Sequence, residues 1–413
     1  MSEIVSHAYA TVPFYRRVMG QRGLRPGDFR TAADLALLPV VTGRDLAGDP
    51  EQFLSAAVAG EPLLQLWTSG SSGHAKRIFW DRTAVFRVQA CGVWHRDVIA
   101  SFVGRTRGYR ALVVDRPGGT RDLVMAFVRD HSWLPAGLGT VQVQASLADS
   151  FERNLELINS VRPDVIRGFS GYLGALFRWA SATGRRFARP RLIWCGGESL
   201  PEPDRRLIVA ELGIPLIESY QACEALRIAF QCERGEGFHI HADQVVVRVV
   251  DASGATVRPG RSGRVLISNL LNRATVLLNY DLGDLGTLSE SPCACGRALP
   301  MLARLDGRDD DFLARADGGV VHTSVVLSTL YAVPGVLRLQ LVQAALDRFH
   351  LRVVLTGGHD GWERTRAALA RALASLMGEA QITAEIERVG EIASEPSGKF
   401  KIIICKVPPG GRR

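Results

Sequence analysis

Leu66-Trp67-Thr68-Ser69-Gly70-Ser71-Ser72-Gly73-His74-Ala75-Lys76 is the stretch around which the chain is organised. Thr68 to Lys76 hold four hydroxyls, two glycines and a lysine between two apolar runs, a pattern that predicts strand, loop, strand. Glycines let a backbone approach an anion closely, and N–H groups, hydroxyls and a lysine supply donors and charge. The spacing is not that of a Walker A loop. A serine- and glycine-rich surface loop is the alternative interpretation.

The length and composition are those of a globular protein with a large core. The 413 residues predict two or three domains, and 46% hydrophobic with 22% charged residues is ordinary for a soluble protein. We expect a cytoplasmic location and no membrane partner, because no apolar run approaches about 20 residues and the first residues lack the features of a secretion signal. Seven cysteines, an odd number, favour free thiols or a metal site over a disulfide framework.

The excess of positive charge bears on the expected partners. The formal net charge is +8, and the basic residues, mostly arginine, are scattered through the sequence. Because no basic block interleaves with aromatic residues, we expect no nucleic-acid partner. A mild positive field suits small anions such as nucleotides and coenzyme A, and it also suits an acidic carrier protein. An arginine-rich composition without functional meaning is the alternative.

A β–α rhythm predicts the fold of the middle of the chain. Strands are predicted at 111–114, 163–168, 192–195 and 214–219, and helices at 81–105, 146–160, 171–184 and 201–212. Ser146 is the predicted N-cap of the second of these helices, with Asp149 three residues later. Strands that alternate with helices imply a parallel sheet covered on both faces.

Two further segments depart from this rhythm. Val245–Val250 and Gly263–Ser268 are predicted strands of an antiparallel unit. The charged break at 306–311 is a predicted domain boundary, and the helices and strands beyond it predict an α+β domain of about 100 residues. We therefore predict an α/β fold with a large N-terminal domain, residues 1–307, of parallel α/β sheets plus a small antiparallel β unit, and a small α+β C-terminal domain, residues 308–413.

Five short motifs follow the opening loop in a fixed order. They are Gly196-Gly197-Glu198, Glu218-Ser219-Tyr220-Gln221-Ala222-Cys223-Glu224, Tyr280-Asp281-Leu282-Gly283-Asp284, Gly307-Arg308-Asp309-Asp310-Asp311 and Ser397-Gly398-Lys399. With the loop, this series resembles the core motifs of the adenylate-forming (ANL) superfamily, and the chain looks most like its phenylacetate–coenzyme A ligases. The resemblance implies an enzyme that makes an acyl-adenylate from ATP and a carboxylic acid, uses Mg²⁺, and has a mobile C-terminal domain.

The resemblance also implies a role for each motif. The loop would bind the phosphates of ATP through Thr68, Ser69, Gly70, Ser71, Ser72, Gly73 and Lys76. Gly196, Gly197 and Glu198 would lie against the nucleotide and the acyl pocket. Ser219, Tyr220 and Gln221 would lie near the nucleotide, with Tyr220 stacked near the adenine. Glu224 is the implied Mg²⁺ ligand and a catalytic residue, since Mg²⁺ prefers carboxylate oxygens.

The last three motifs would complete the site. Asp284 matches the carboxylate that binds the ribose hydroxyls, and Arg308 matches an arginine near the ribose and phosphate. Asp310 matches the hinge about which the C-terminal domain rotates between the two half-reactions. Lys399 is the predicted catalytic lysine, because a lysine can bridge the attacking carboxylate and the α-phosphate as charge moves onto diphosphate. Solvated surface charge is the alternative for the acidic run and for the lysine.

Cys293-Ala294-Cys295-Gly296-Arg297 is the core of a predicted zinc site. With Cys232 and one histidine of Phe238-His239-Ile240-His241, it offers three sulfurs and an imidazole, the ligand set of a closed structural site. The resemblance favours His239 over His241. The spacing cannot decide between them, because alternate residues of a strand point to the same face. Unliganded reduced thiols near the surface are the alternative.

The predicted function is that of an ATP-dependent ligase that adenylates a small aromatic carboxylic acid and transfers it to coenzyme A. Gln221 replaces the glycine of the family pattern and Cys223 replaces a hydroxyl residue. The identity of the carboxylic acid is therefore undecided. A carrier-protein phosphopantetheine or an amine is the alternative acceptor. A non-catalytic nucleotide-binding relative is a further alternative. The presence of every expected charged site residue, Glu224, Asp284, Arg308 and Lys399, argues against it.

Overall fold

A computed structural model of the chain describes residues 1–68, 76–132, 140–308, 312–356, 361–378, 380–392 and 402–407. The chain divides into two compact units. The first comprises Met1–Gly108, Pro117–Thr140 and Ile217–Leu305, and the second comprises Tyr109–Arg116, Val141–Leu216 and Asp306–Arg413. The predicted domain boundary at residue 308 stays a prediction. Within the described ranges, every helix is too short or too polar to cross a membrane.

The described helices and strands follow one another in a mixed order. The helices are α1 (Ser2–Thr11), α2 (Pro13–Gln21), α3 (Gly43–Gly48), α4 (Arg82–Ala90), α5 (Val93–Val103), α6 (Thr120–Asp130), α7 (Phe151–Val161), α8 (Ser170–Ala182), α9 (Glu202–Arg206), α10 (Thr323–Tyr331) and α11 (Trp362–Leu376). The strands are β1 (Leu63–Trp67), β2 (Arg77–Asp81), β3 (Tyr109–Asp115), β4 (Thr140–Ser146), β5 (Val165–Phe169), β6 (Leu192–Gly196), β7 (Leu216–Tyr220), β8 (Ala229–Phe230), β9 (Phe238–Ile240), β10 (Val245–Val250), β11 (Ser262–Asn269), β12 (Tyr280–Leu288), β13 (Met301–Arg308), β14 (Phe312–Ala314), β15 (Val320–His322), β16 (Val336–Ala345), β17 (Arg348–Leu355), β18 (Thr383–Arg388) and β19 (Ile403–Cys405). Short 3-10 turns lie at Pro26–Asp28, Ala32–Leu37, Pro50–Phe53 and Ala56–Val58.

The first unit contains a hairpin and a largely antiparallel sheet. β1 and β2 pair antiparallel, with Trp67 opposite Arg77, so the two predicted strands that flank the glycine-rich loop are confirmed. The sheet has the strand order β10-β11-β12-β13-β9-β8-β7. Its pairs β10–β11, β11–β12, β8–β9 and β7–β8 are antiparallel. The antiparallel part is therefore more extensive than the two strands predicted from the sequence.

The second unit contains the predicted parallel sheet, with the strand order β6-β5-β3-β4. The pairs β3–β5 and β5–β6 are parallel, as the β–α rhythm predicts. Ile166 of β5 and Ile193 of β6 are fully buried together with Leu173 of α8. Because parallel strands end at the same edge of a sheet, β5 and β6 bring their carboxyl ends, and with them Gly196, to one edge.

The end of the second unit is an α+β layer. A sheet of order β18-β17-β16-β19 packs against α10 and α11. Alternate residues of β16, Leu339 and Leu341, are fully buried against Leu369 and Leu373 of α11. Alternate residues of a strand and residues four apart on a helix share one face, so each element presents an apolar face to this core.

Three local predictions were wrong. The predicted helix at 81–105 is two helices, α4 and α5, separated by a turn at Cys91 and Gly92. Ser146 is the last residue of β4 and not a helix N-cap. The helix begins at Phe151, and the hydroxyl of Ser150 accepts the N–H of Arg153, so the cap lies four residues later than predicted. The predicted helix at 201–212 is α-helical only over Glu202–Arg206 and continues as a π-helical turn over Leu207–Glu211.

Candidate active site

The hairpin of β1 and β2 holds both ends of the predicted phosphate loop. The N–H of Thr68 donates to the carbonyl of Lys76 at 2.9 Å, and the N–H of Lys76 donates to Oγ1 of Thr68 at 3.1 Å. The side chain of Thr68 therefore binds backbone at the base of the loop. Ser69, Gly70, Ser71, Ser72, Gly73 and the rest of the loop to Ala75 lie outside the described residues.

Lys76 and Glu224 form a buried ion pair beside this loop base. The two side chains are 13% and 6% exposed, and Lys76 Nζ lies 3.2 Å from Glu224 Oε1. Tyr280 joins both groups: its hydroxyl accepts from Lys76 Nζ at 2.9 Å and donates to Glu224 Oε1 at 3.2 Å. Asn269 fixes the backbone at the carboxylate, since its amide donates to the Glu224 carbonyl at 2.9 Å. A carboxylate held in this way can bind a hard cation such as Mg²⁺.

Gly43 lies close to the side chains of Lys76 and Tyr280. A Cβ atom at this position would lie 3.1 Å from Lys76 Nζ and 3.5 Å from the Tyr280 hydroxyl. Sequence reasoning gave no role to Gly43 or to Tyr280. The signal for Tyr280 was present, because it is the first residue of the Tyr280-to-Asp284 motif.

Tyr220 and Asp284 form a second contact in the first unit. The Tyr220 hydroxyl, at the end of β7, donates to a carboxylate oxygen of Asp284 in β12. Gln221 Nε2 donates to Ser219 Oγ at 3.2 Å. The structure thus brings together residues that the resemblance assigns to adenine and ribose. A carboxylate that already accepts from a phenol is held in a defined orientation toward a further hydroxyl donor.

Gly196, Gly197 and Glu198 follow β6 in the second unit. Gly197 has a φ of 85°, and a Cβ there would lie 2.8 Å from the ring of Phe169, so glycine is required. Oε1 of Glu198 accepts the N–H of Gly171 at 3.0 Å, at the first turn of α8. A carboxylate at this position stabilises the helix N-terminus. The Glu198 carboxylate therefore holds α8 against the end of β6.

The remaining predicted site residues are at the far end of the chain. Arg308 is the last residue of β13 and is partly buried. The predicted hinge, Asp310, and the predicted catalytic lysine, Lys399, lie outside the described residues.

Four predicted zinc ligands meet in the first unit. The ligand atoms of Cys232, His239, Cys293 and Cys295 all lie within 4.8 Å of one another. Cys232 Sγ is 3.7 Å from Cys293 Sγ, and Cys295 Sγ is 3.4 Å from His239 Nε2. Zinc bonds of about 2.3 Å to sulfur and about 2.0 Å to nitrogen, at tetrahedral angles, place two sulfurs about 3.8 Å apart and sulfur and nitrogen about 3.5 Å apart. The spacing of the side chains therefore fits a tetrahedral ion.

The surroundings of the thiols favour a bound cation. Burial raises the pKa of the Cys232 thiol to about 12, so the thiolate there needs a positive partner. The pKa of Cys295 is lowered: burial, the largest single effect, opposes the shift, but it is outweighed by several hydrogen bonds together, from the N–H of Arg297 at 3.5 Å and from the side chains of Arg297, Cys293 and Cys232. The guanidinium of Arg297 is in turn held by both oxygens of Glu233 at 2.9 Å.

The structure distinguishes the two candidate histidines. Both rings contact the ring of Phe230, with centroids 5.6 Å away for His239 and 4.9 Å away for His241. Only His239 faces the cysteines. Nε2 of His241 lies 3.2 Å from Nε2 of His95, and burial lowers the pKa of His241 to about 4. His239 is thus the histidine of the four-residue cluster, as the resemblance indicated.

Comparisons with known proteins show which sequences this chain resembles. Residues 313–406 match the family model of the CapK C-terminal domain. The chain is 27% identical over 376 residues to a phenylacetate–coenzyme A ligase of Thermus thermophilus, covering 86% of this chain and 79% of the relative. It is 26% identical over 328 residues to the Escherichia coli enzyme of the same name, covering 75% and 69%.

Solved structures show the same fold. A 2-hydroxyisobutyryl-CoA ligase in complex with an acyl-AMP has a TM-score of 0.77 at 18% identity, with 98% of this chain and 88% of that chain covered. The amide bond synthetase McbA of Marinactinospora thermotolerans has a TM-score of 0.56 at 20% identity, with 81% and 67% covered. These similarities confirm the predicted resemblance to phenylacetate–coenzyme A ligases and the predicted α/β fold. The named relatives are ligases, which supports the predicted enzyme class, an AMP-forming ligase.

Proposed function

We propose that this chain, similar in sequence to phenylacetate–coenzyme A ligases, adenylates a small aromatic carboxylic acid and transfers the acyl group to coenzyme A. The contact of Lys76, Glu224 and Tyr280 at the base of the phosphate loop carries the proposal. It offers an ammonium for phosphate oxygens and a carboxylate for a hard cation within one buried cluster. Tyr220 and Asp284 supply a second polar pair for the nucleoside.

The reaction has two balanced steps. In the first, a carboxylate oxygen of the acid attacks the α-phosphorus of ATP, and diphosphate leaves with the electron pair of the broken P–O bond. In the second, the thiolate of the acceptor attacks the acyl carbon, and AMP leaves. Mg²⁺, when bound, neutralises charge on the phosphates. Lys399 would stabilise the charge that develops in the first step, and rotation about Asp310 would remove it for the second.

Glu224 is the residue that would hold Mg²⁺. Thr68, Lys76 and the loop between them would bind the phosphates, and Arg308 would lie near the ribose and phosphate. Asp284 would accept the ribose hydroxyls, while Gly196 to Glu198 would border the nucleotide and acyl pocket. Each of these assignments follows the order of the motifs and is a proposal for the residue concerned.

Zinc at the cluster of Cys232, His239, Cys293 and Cys295 is part of the proposal. Four protein donors would fill the coordination sphere of zinc and leave no open position. The ion would therefore be structural and would tie the loop after β12 to β9. It would take no part in either chemical step.

Pyrophosphate exchange tests the first step. Purified chain is incubated with ATP, labelled diphosphate and a panel of benzoates, arylacetates and heteroaryl acids. We expect exchange into ATP that depends on an aromatic acid. Absence of exchange with every acid, under conditions in which a phenylacetate–coenzyme A ligase exchanges, would favour the non-catalytic alternative.

Addition of acceptors to the adenylating mixture tests the second step. We expect coenzyme A to consume the acyl-adenylate and yield a thioester. McbA is named as an amide bond synthetase, so amines are included, together with a phosphopantetheinylated carrier protein. If a product formed with an amine or a carrier protein and none formed with coenzyme A, the proposed acceptor would be wrong, while the proposed adenylation step would still be supported.

A further inference from the structure

A cleft of about 550 Å³ in the second unit is lined by arginines that neither proposed step uses. Five arginines line it together with a single acidic residue, Asp164. The five residues are Arg110, Arg162, Arg186, Arg189 and Arg191, and all of them are exposed. Its volume is in the range of small-molecule sites.

The acidic residue that lines the cleft does not balance the positive charge of its arginines. Arg191 lies 3.9 Å from the Asp164 carboxylate. The other oxygen of Asp164 accepts the N–H of Arg110 at 2.8 Å, a bond to backbone that leaves the guanidinium unused. The four arginines other than Arg191 form no ion pair within the described part of the chain. Several like charges around one concavity raise the local concentration of anions.

The backbone that carries these arginines is well fixed. Arg162 ends α7 in a left-handed conformation with a φ of 47°, and its N–H donates to Ile158 at 2.9 Å. Asn159 clamps the next segment, because its side chain accepts from Ala188 N at 2.8 Å and donates to the Arg186 carbonyl at 3.3 Å. The cleft is thus pre-organised at its backbone, which lowers the entropy cost of binding.

The position of the cleft separates it from the nucleotide motifs. Arg110 lies at the start of β3, Arg162 lies three residues before β5, and Arg191 directly precedes β6. These strands are parallel, so their amino ends share one edge of the sheet. Gly196 and Glu198 lie past the opposite, carboxyl edge. An anion bound between these arginines would therefore occupy a site of its own.

We propose that this arginine cleft binds a small molecule that carries several phosphate groups. Guanidinium groups bind phosphate oxygens with paired, charge-assisted hydrogen bonds, and about four net positive charges suit an anion of similar charge. Phe187 forms a half-buried wall of the cleft and is held edge-on by Phe177 with ring centroids 5.2 Å apart. The aromatic ring of Phe187 can pack against a nucleotide base, so a nucleotide fits the cleft better than a bare phosphate chain.

Calorimetric titration with inorganic tripolyphosphate tests the cleft directly. The test variant carries Arg162→Gln, Arg186→Gln and Arg189→Gln, and the control carries Arg129→Gln, Arg348→Gln and Arg366→Gln, an equal loss of charge at exposed positions outside the cleft. We expect the test variant to lose one binding site per chain, or to bind there at least about 30-fold more weakly, since each charge-assisted bond contributes up to about tenfold. The control keeps that site. Equal binding by wild type, test variant and control would overturn the proposal.

Further titrations identify the source of the phosphates. Tighter binding of ATP or coenzyme A than of tripolyphosphate at this site supports a nucleotide, and equal binding supports a phosphate chain. Polyglutamate and a short oligonucleotide are the macromolecular probes; tighter, arginine-dependent binding of either would replace the small ligand and overturn the proposal. Pyrophosphate exchange in the test variant should equal that of wild type, so failure of this site and failure of the proposed ligase activity are separate results.

Discussion

The ammonium nitrogen of Lys76 lies 3.2 Å from Oε1 of Glu224, and both side chains are almost entirely buried. An ion pair in that position is costly to break from one side, because the partner left behind is a charge without a counter-charge. In the proposed reaction the same two groups separate, one toward phosphate and one toward Mg²⁺. The pair therefore links the stability of the site to its chemistry.

Glu224→Gln should abolish most of the activity. Loss of the carboxylate removes the proposed Mg²⁺ ligand, and we expect pyrophosphate exchange to fall by at least about 100-fold. The free energy of unfolding should fall by about 3 kcal/mol, because Lys76 stays buried without its counter-charge and keeps the hydrogen bond to Tyr280. The control is Glu363→Gln, whose side chain is 74% exposed. Normal exchange by a folded Glu224→Gln variant would remove Glu224 from the mechanism.

Tyr280→Phe should weaken metal binding without unfolding the chain. The phenol oxygen lies 2.9 Å from Lys76 Nζ and 3.2 Å from Glu224 Oε1, and it orients both. We expect the dissociation constant of Mn²⁺, used as a probe for Mg²⁺ in the presence of ATP, to rise about tenfold, the effect of one hydrogen bond to a charged group. Electron paramagnetic resonance measures the free Mn²⁺. Tyr9→Phe, a tyrosine outside the cluster, is the control, and identical Mn²⁺ titrations for both variants would contradict the positioning role.

Purified protein should contain about one zinc ion per chain, measured by elemental analysis. Cys295→Ala should lose the metal and lower the melting temperature, because an ion bound by three protein ligands is held more weakly than one bound by four. Cys91→Ser leaves the cluster intact and should keep the zinc. Chelation of wild type should reproduce the Cys295→Ala melting temperature. A wild-type protein without zinc, isolated from zinc-supplemented cells, would contradict the site.

Lys399→Ala should separate the two half-reactions. We expect adenylation to be lost while transfer from supplied acyl-adenylate to coenzyme A continues, because only the first step develops charge on diphosphate. Lys406→Ala, an exposed lysine close by in the sequence, is the control. Unchanged adenylation in Lys399→Ala would show that another cation serves this step.

Gly171→Ala should destabilise the second unit. A Cβ atom there would lie 2.5 Å from Oε1 of Glu198. The carboxylate would have to move away, and its hydrogen bond from the Gly171 N–H would be lost. We expect the free energy of unfolding to fall by about 1 kcal/mol, the contribution of one part-buried hydrogen bond. Gly20→Ala in α2 is the matched control, since no atom lies within 4 Å of its Cβ position and alanine favours a helix. Equal denaturation midpoints would contradict the packing of Glu198 on α8.

Local patterns predicted the elements well where a single period dominated. The strands β5 and β6, the hairpin around the loop and the α+β layer at the end of the chain all follow from alternation and helical spacing. The cap of α7 was misplaced, because Ser146 and Ser150 are both followed by residues that suit a first turn. The choice between them was made by β4, which extends to Ser146 and holds it in extended backbone.

The sequence by itself determined the order of the motifs, the chemical groups that each motif offers, and the fold class to which the rhythm of strands and helices leads. These are properties of residue types and their spacing along the chain. Only the tertiary structure decided that His239 rather than His241 faces the cysteines, that Tyr280 joins Lys76 to Glu224, and that arginines far apart in sequence line one cleft. The physical reason is that such contacts join residues separated by tens to hundreds of positions, and their distances are set by how the sheets and helices pack.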